Sequence, residues 1–315
     1  MSEVSGPSPY DASEPGEPPA PVHVAEDPDA PRRPPAAATR RPYRPSQTLP
    51  LRVELERQLR RRRTQVVFGL VALLPVLLWV AFELAPDGSD TSSVSLVDLA
   101  TGSGPNFAVF ALFASASFLL VVVVALFFGD TVAAEASWSS LRYLLAAPIP
   151  RARLLRQKAV VAALLSLAAL LLLPLVALGV GTLAYGAGDL VSPTGVSLDY
   201  GPAAVRVLSG AVYLAVHLSW VAALALLLSV STDAPLGAVG GAVLVSIVSR
   251  ILDQITALEG LRAWLPTHFE DAWAGLLGDP VDWGDMTRGG FSALAYALVL
   301  GAAAVWRFQR KDVTS

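Results

Sequence analysis

Cysteine is absent from the 315 residues, which excludes a disulfide framework and a thiolate metal site. The three histidines, His23, His217 and His268, lie far apart in the chain. Single imidazoles so spaced do not suggest a histidine-rich metal centre, and the expectation is a chain with no metal and no cofactor. Charge is scarce as well. Asp, Glu, Lys and Arg make up 16% of the residues, against roughly 25% in an ordinary soluble domain. The formal net charge of −3 lacks the basic excess of a nucleic-acid binder. The sequence has no G-x-x-x-x-G-K-[ST] segment, so it offers no loop of that kind to cradle nucleotide phosphates. It also lacks the intramembrane chain of acids and histidines that a proton-driven carrier uses.

What is abundant is apolar. Hydrophobic residues make up 54% of the chain, with a mean hydropathy of +0.54, and they fall in long blocks. A helix of about 20 such residues spans the hydrocarbon core. Six segments reach or approach that length, at about 65–84, 107–128, 159–185, 207–230, 236–251 and 291–306. The expected fold is therefore an all-α polytopic membrane protein with six transmembrane helices. Residues 1–48 are different, since 13 of the 24 prolines fall in the first 50 positions. Such a segment buries too little apolar surface to offset its chain entropy, and it is expected to be a disordered tail. With no apolar core near Met1, it does not read as a secretory signal peptide. Nineteen of the 23 Lys and Arg residues precede the first span, lie between the second and third, or follow the sixth. The positive-inside rule then places those segments, including both termini, in the cytoplasm.

Two segments on that side have helical periodicity. Leu51, Leu55 and Leu59 recur every four residues among charged neighbours, which predicts an amphipathic interfacial helix over 49–63. The connection 129–158 reads GDTVAAEASWSSLRYLLAAPIPRARLLRQK. In it Trp138, Leu141, Leu144 and Leu145 share one helical face, and Pro148 ends the pattern. By periodicity alone this helix can lie on lipid or insert into a groove on a soluble partner. On the opposite side, Thr267 and Glu270 form a Thr-x-x-Glu capping box. They introduce a short helix over about 268–277 in a stretch carrying Trp264, Trp273 and Trp283, placed at the outer interface where Trp is favoured. Within the spans, His217 is a candidate pathway residue, and Gly237 with Gly241 forms a GxxxG packing pattern.

This order of elements resembles the ABC-2 type permease family, the membrane subunits of a class of ABC transporters. The resemblance covers about residues 50–312. It rests on Glu135, the small pair Ser139–Ser140 (where the family more often has Gly-Thr), Leu141, Arg142, Leu144, Leu145, Pro148, Arg151 and Lys158, followed at the end by the run 308–312. It implies that 129–158 holds a cytoplasmic coupling helix docked on a separate ATPase (nucleotide-binding) subunit. Trp138 and the leucine face would make the contact, with Glu135, Arg142 and Arg151 as polar partners. It also implies a permease without enzymatic activity of its own, working as a homodimer with a second protomer in the cell membrane of a bacterium. Two other classes are open. An ion-gradient-driven secondary carrier would show internal repeats around a charged midplane site, and a membrane-embedded enzyme would show a nucleophile–base or metal cluster.

Overall fold

The structure is a computed structural model that describes residues 51–84, 96–137, 150–192 and 195–311. The expected tail over 1–48 lies outside the described residues, as do Trp138, Leu141, Arg142, Leu144 and Leu145 of the expected coupling helix.

The described chain is mostly helical, as its apolar blocks require. A short helix α1 (Leu51–Leu59) leads into α2 (Arg62–Leu84). After α3 (Leu96–Ala100) come α4 (Gly104–Ala116), α5 (Leu119–Ser137) and α6 (Arg151–Tyr185). A two-residue antiparallel hairpin follows, pairing Leu190 with Leu198 and Val191 with Ser197. The chain continues through α7 (Tyr200–His217), α8 (Ser219–Ser231) and α9 (Pro235–Asp253). Two 3₁₀ segments (Thr256–Trp264 and Glu270–Leu277) precede α10 (Gly284–Arg310). Five helices are long and apolar enough to cross a membrane, counting α7 and α8 as one, and the number is six if α4 and α5 form one bent span. This is the pattern of a multi-pass membrane protein.

The second expected span is not straight. Its halves, α4 and α5, meet at 55°. Near the bend the Ser115 hydroxyl donates to the carbonyl of Ala111 at 2.5 Å, a back-bond that competes with the helix ladder and bends it. The third expected span starts earlier than its apolar run. The 35 residues of α6 measure about 52 Å at 1.5 Å per residue, well beyond a hydrocarbon core of roughly 30 Å. Its first two turns, Arg151–Lys158, therefore project past the apolar layer.

Packing divides the helices into an inner and an outer set. Phe107, Leu112, Leu120, Leu170, Leu173, Leu214 and Val221 are buried in a continuous core built from α4 to α8. By contrast, α2 buries only the stripe Thr64, Val67, Val71 and Pro75, and Leu236, Leu244, Val248 and Ile251 of α9 are exposed. The outer faces of α2, α9 and α10 are thus apolar surfaces suited to lipid. Small residues allow α4 and α6 to cross closely. A Cβ added at Gly181 of α6 would stand 2.9 Å from the Gly104 carbonyl oxygen and from the Phe107 side chain of α4. Of the GxxxG pattern, Gly237 is exposed and Gly241 faces Leu228 of α8.

Two ends of the bundle can be told apart by contact. The basal end gathers α1, the end of α5, the start of α6, the α8–α9 turn and the end of α10. The distal end gathers α3, the hairpin and both 3₁₀ segments.

Candidate functional site

At the basal end the two stems of the 138–149 connection are fixed by buried charge. Glu135, two residues from the end of α5, is ion-paired with Lys158 in the second turn of α6, and each is 7% exposed. Arg57 of α1 reaches Glu135 at 3.3 Å and Glu54 at 2.8 Å. Gln58 also donates to Glu54 at 3.2 Å, and Lys158 lies 3.8 Å from it. Burial alone would raise the Glu54 pKa, but the Arg57 hydrogen bond and the Lys158 charge outweigh it and hold the carboxyl below the usual range. Two acids and two bases thus balance in one cluster. A neighbouring acid, Asp130, is 8% exposed; it is ion-paired with Arg63, and Arg61 lies at 3.6 Å.

These pairs decide how α1 docks. Its inward face is polar, formed by Glu54 and Gln58 with Leu55 beside them, while Leu51, Val53 and Leu59 are 42–60% exposed. A helix therefore lies over Leu51–Leu59, within the expected 49–63, held to the bundle by charge with Leu51, Val53 and Leu59 exposed.

Beside Asp130 the α5 backbone runs close to two more helices. A Cβ at Gly129 would come 2.8 Å from the Val239 side chain of α9, and Ser229 of α8 accepts from the N–H groups of Val132 and Ala133 at 3.0 Å. Arg151, at the other stem, donates to the carbonyls of Gln309 and Lys311 at 3.1 and 2.9 Å. It thereby caps the α10 C-terminus, where the last carbonyls lack helical partners. Lys311 in turn pairs with Asp233 of the α8–α9 turn at 2.8 Å.

Two expected site residues thus have assigned positions here: Glu135 is turned inward onto Lys158 and Arg57, and Arg151 is bound to the end of α10. Both touch the bundle itself. Asp130 was legible in the sequence only as an acid at the edge of an apolar run.

His217 is 1% exposed at the α7–α8 break, with its ring stacked on Tyr213 at a centroid distance of 5.8 Å. Its Nδ1 has no hydrogen-bond partner. The His217 side chain faces protein on every side.

The distal end is latched by a second set. His268 Nδ1 and Arg262 Nε approach Asp253 Oδ1 at 2.6 and 3.5 Å, and Arg250 donates to Glu270 at 2.7 Å. Ser249 and Thr267 share a hydrogen bond at 2.8 Å. The expected capping box is therefore not formed, because each of its two side chains bonds to α9 instead, and the segment Glu270–Leu277 is a 3₁₀ helix without a side-chain cap. Trp264 and Trp283 are exposed as interfacial anchors would be, but Trp273 is fully buried against Phe113 at 4.4 Å. Burial pushes the Glu270 pKa up to about 7 against the opposing pull of Arg250. Among the described residues no group of three or more His, Asp or Glu side chains could hold a metal ion.

Two outcomes follow from these geometries. Removing one member of a buried pair leaves an uncompensated charge, so Lys158→Met should destabilise the protein by about 3 kcal/mol, and Lys158→Met with Glu135→Gln by less than either single change implies. Thermal unfolding in detergent reads this, and additive losses would count against a coupled pair. For Glu270 the folded pKa is raised, so its protonation stabilises the fold fully below about 4.5 and progressively less as pH rises through about 7. Amide protection in residues 256–277, corrected for the base-catalysed intrinsic rate, should accordingly be lower at about pH 8 than at about pH 5, and Glu270→Gln should remove that component. An unchanged pH response in the variant would exclude Glu270 as its source.

No curated protein matches the chain. The family model described as protein of unknown function (DUF2705) matches residues 97–314. That range starts in α3 and takes in the bent pair, both stems of the 138–149 connection and the distal latch. Because it covers more than two thirds of the sequence, the chain belongs to the DUF2705 family.

Proposed function

We propose that this protein is the permease subunit of an ATP-driven transporter of the ABC-2 type, an exporter that forms the transmembrane pathway while a separate subunit hydrolyses ATP. The observation that carries the reading is the basal cluster. Both stems of the 138–149 connection are bound, by Glu135–Lys158–Arg57 and by Arg151, to helices from opposite ends of the sequence. A push on that connection is therefore transmitted to α1 and α6 through buried charge and to α10 through its capped C-terminus. Through Ser229 and Gly129 it also reaches α8 and α9.

In this reading Trp138, Leu141, Leu144 and Leu145 seat the coupling helix in a groove on the ATPase, and Arg142 adds a polar contact. Glu135 and Arg151 are positioning residues that join the helix to the bundle. The basal end faces the cytoplasm, with both termini, in a bacterial cell membrane, because the cations concentrate there. Two such permeases, with their exposed apolar faces in lipid or against each other, complete the assembly with two ATPase subunits.

The test is co-expression of the full chain with the ATPase encoded beside its gene. The two should co-purify with vanadate-sensitive ATP hydrolysis, and Leu144→Asp with Leu145→Asp should weaken the association by at least about tenfold, as removal of a central apolar anchor does. Failure to bind any such ATPase, or full binding by the Asp variant, overturns the reading.

A further inference from the structure

The distal end holds a cavity of about 280 Å³ between α3, α4, the hairpin and the second 3₁₀ segment. Leu99, Phe110, Phe113, Leu190 and Leu277 form most of its wall. No charged side chain lines it, among the described residues. Its one amide, Asn106, is already committed: Nδ2 donates to the carbonyls of Leu99 at 2.8 Å and Val191 at 3.0 Å, while Oδ1 accepts from the Val191 N–H at 2.8 Å. Ser192 contributes a single neutral hydroxyl. A sugar, a peptide or an ion entering here would lose its water and find few partners. A hydrocarbon would lose nothing and gain contact with the two phenyl rings.

Size narrows the class further. An apolar cavity of about 150 Å³ stays dry and takes up benzene. The present cavity is nearly twice that volume, so by comparison with benzene it matches a fused two-ring aromatic or an acyl-chain end of about the same bulk. The hydrogen bonds of Asn106 tie α3 and the hairpin to α4, so the walls are built before any ligand arrives.

We propose that this cavity is a binding site for a neutral apolar molecule of about ten carbon atoms, supplied either as a free hydrophobic compound or as the end of a lipid acyl chain. The site lies at the distal end, opposite the two stems of the 138–149 connection, and does not require the transport reading. Trp273, whose ring packs tilted against the cavity-lining Phe113 at a centroid distance of 4.4 Å, gives it a built-in reporter.

The experiment titrates the purified full chain in detergent with N-phenyl-1-naphthylamine, following both probe emission and tryptophan quenching. Saturable binding is expected, with naphthalene sulfonate at least about tenfold weaker because its charge has no partner. Ala274→Leu and Ala100→Leu each fill the cavity and should weaken the probe by about tenfold or more, judged on whichever elutes as the native species. Trp273→Phe should reduce quenching while leaving the affinity read from probe emission unchanged. Non-saturable uptake, equal binding of the sulfonate, or unaltered affinity in both filled variants overturns the proposal. Repeating the titration in phosphatidylcholine nanodiscs separates the sources. Competition that grows with lipid identifies an acyl chain as the resident, and its absence identifies a site open to free compounds; either result supports an apolar site.

Discussion

An ammonium and a carboxylate that are each 7% exposed must find one another, because either charge alone would be costly in so dry a place. Lys158 and Glu135 meet that constraint, and the basal end is arranged around them. Their pairing holds the end of α5 against the second turn of α6, so both stems of the 138–149 connection are anchored to each other. It also provides the negative site on which α1 docks through Arg57. The polar face of α1 turns inward for that reason, and Leu51 and Leu59 are left at the surface. Asp130, with Arg61 and Arg63, repeats the device one turn earlier and ties in the start of α2.

The distal end is closed differently. Many of its ties run from side chains to backbone carbonyls, as in Tyr213 to Phe269, Arg206 to Leu276 and Gly278, and Tyr296 to Trp264. Such contacts fix loops onto helices without a dense buried charge cluster. Among the described residues there, the most buried acid, Glu270, is held by a single arginine, and burial pushes its pKa up to about 7.

The spans were legible because hydropathy depends only on composition along a window, and membrane insertion reads the same quantity. The bend at Ser115 was hidden because a hydroxyl competing for a backbone carbonyl is a local event with little effect on hydropathy. The early start of α6 was hidden for the opposite reason: Arg151 to Lys158 are helical but polar. Glu135 and Arg151 could be singled out by motif, yet their partners lie at 57, 158, 309 and 311, and no short spacing announces contacts of that range. The Thr267–Glu270 box was a sound local signal that tertiary partners on α9 overrode. Trp273 shows the limit of composition, since a tryptophan near an interface is equally suited to anchoring and to core packing, and here it packs.

If the proposed transport function holds, with an ATPase as partner, a push on the two stems of the 138–149 connection must reach the distal end through the buried Glu135–Lys158 pair. Because the chain has no cysteine, a single label introduced as Ser197→Cys, on the exposed hairpin, reports the distal end directly. The decisive measurement is the rate at which an impermeant maleimide modifies that cysteine in the reconstituted complex with its ATPase, before and after trapping with ATP and vanadate. The account requires a change in rate on trapping, and its loss when Glu135→Gln and Lys158→Met are introduced together while the ATPase stays bound. A change that persists undiminished in that variant would contradict it.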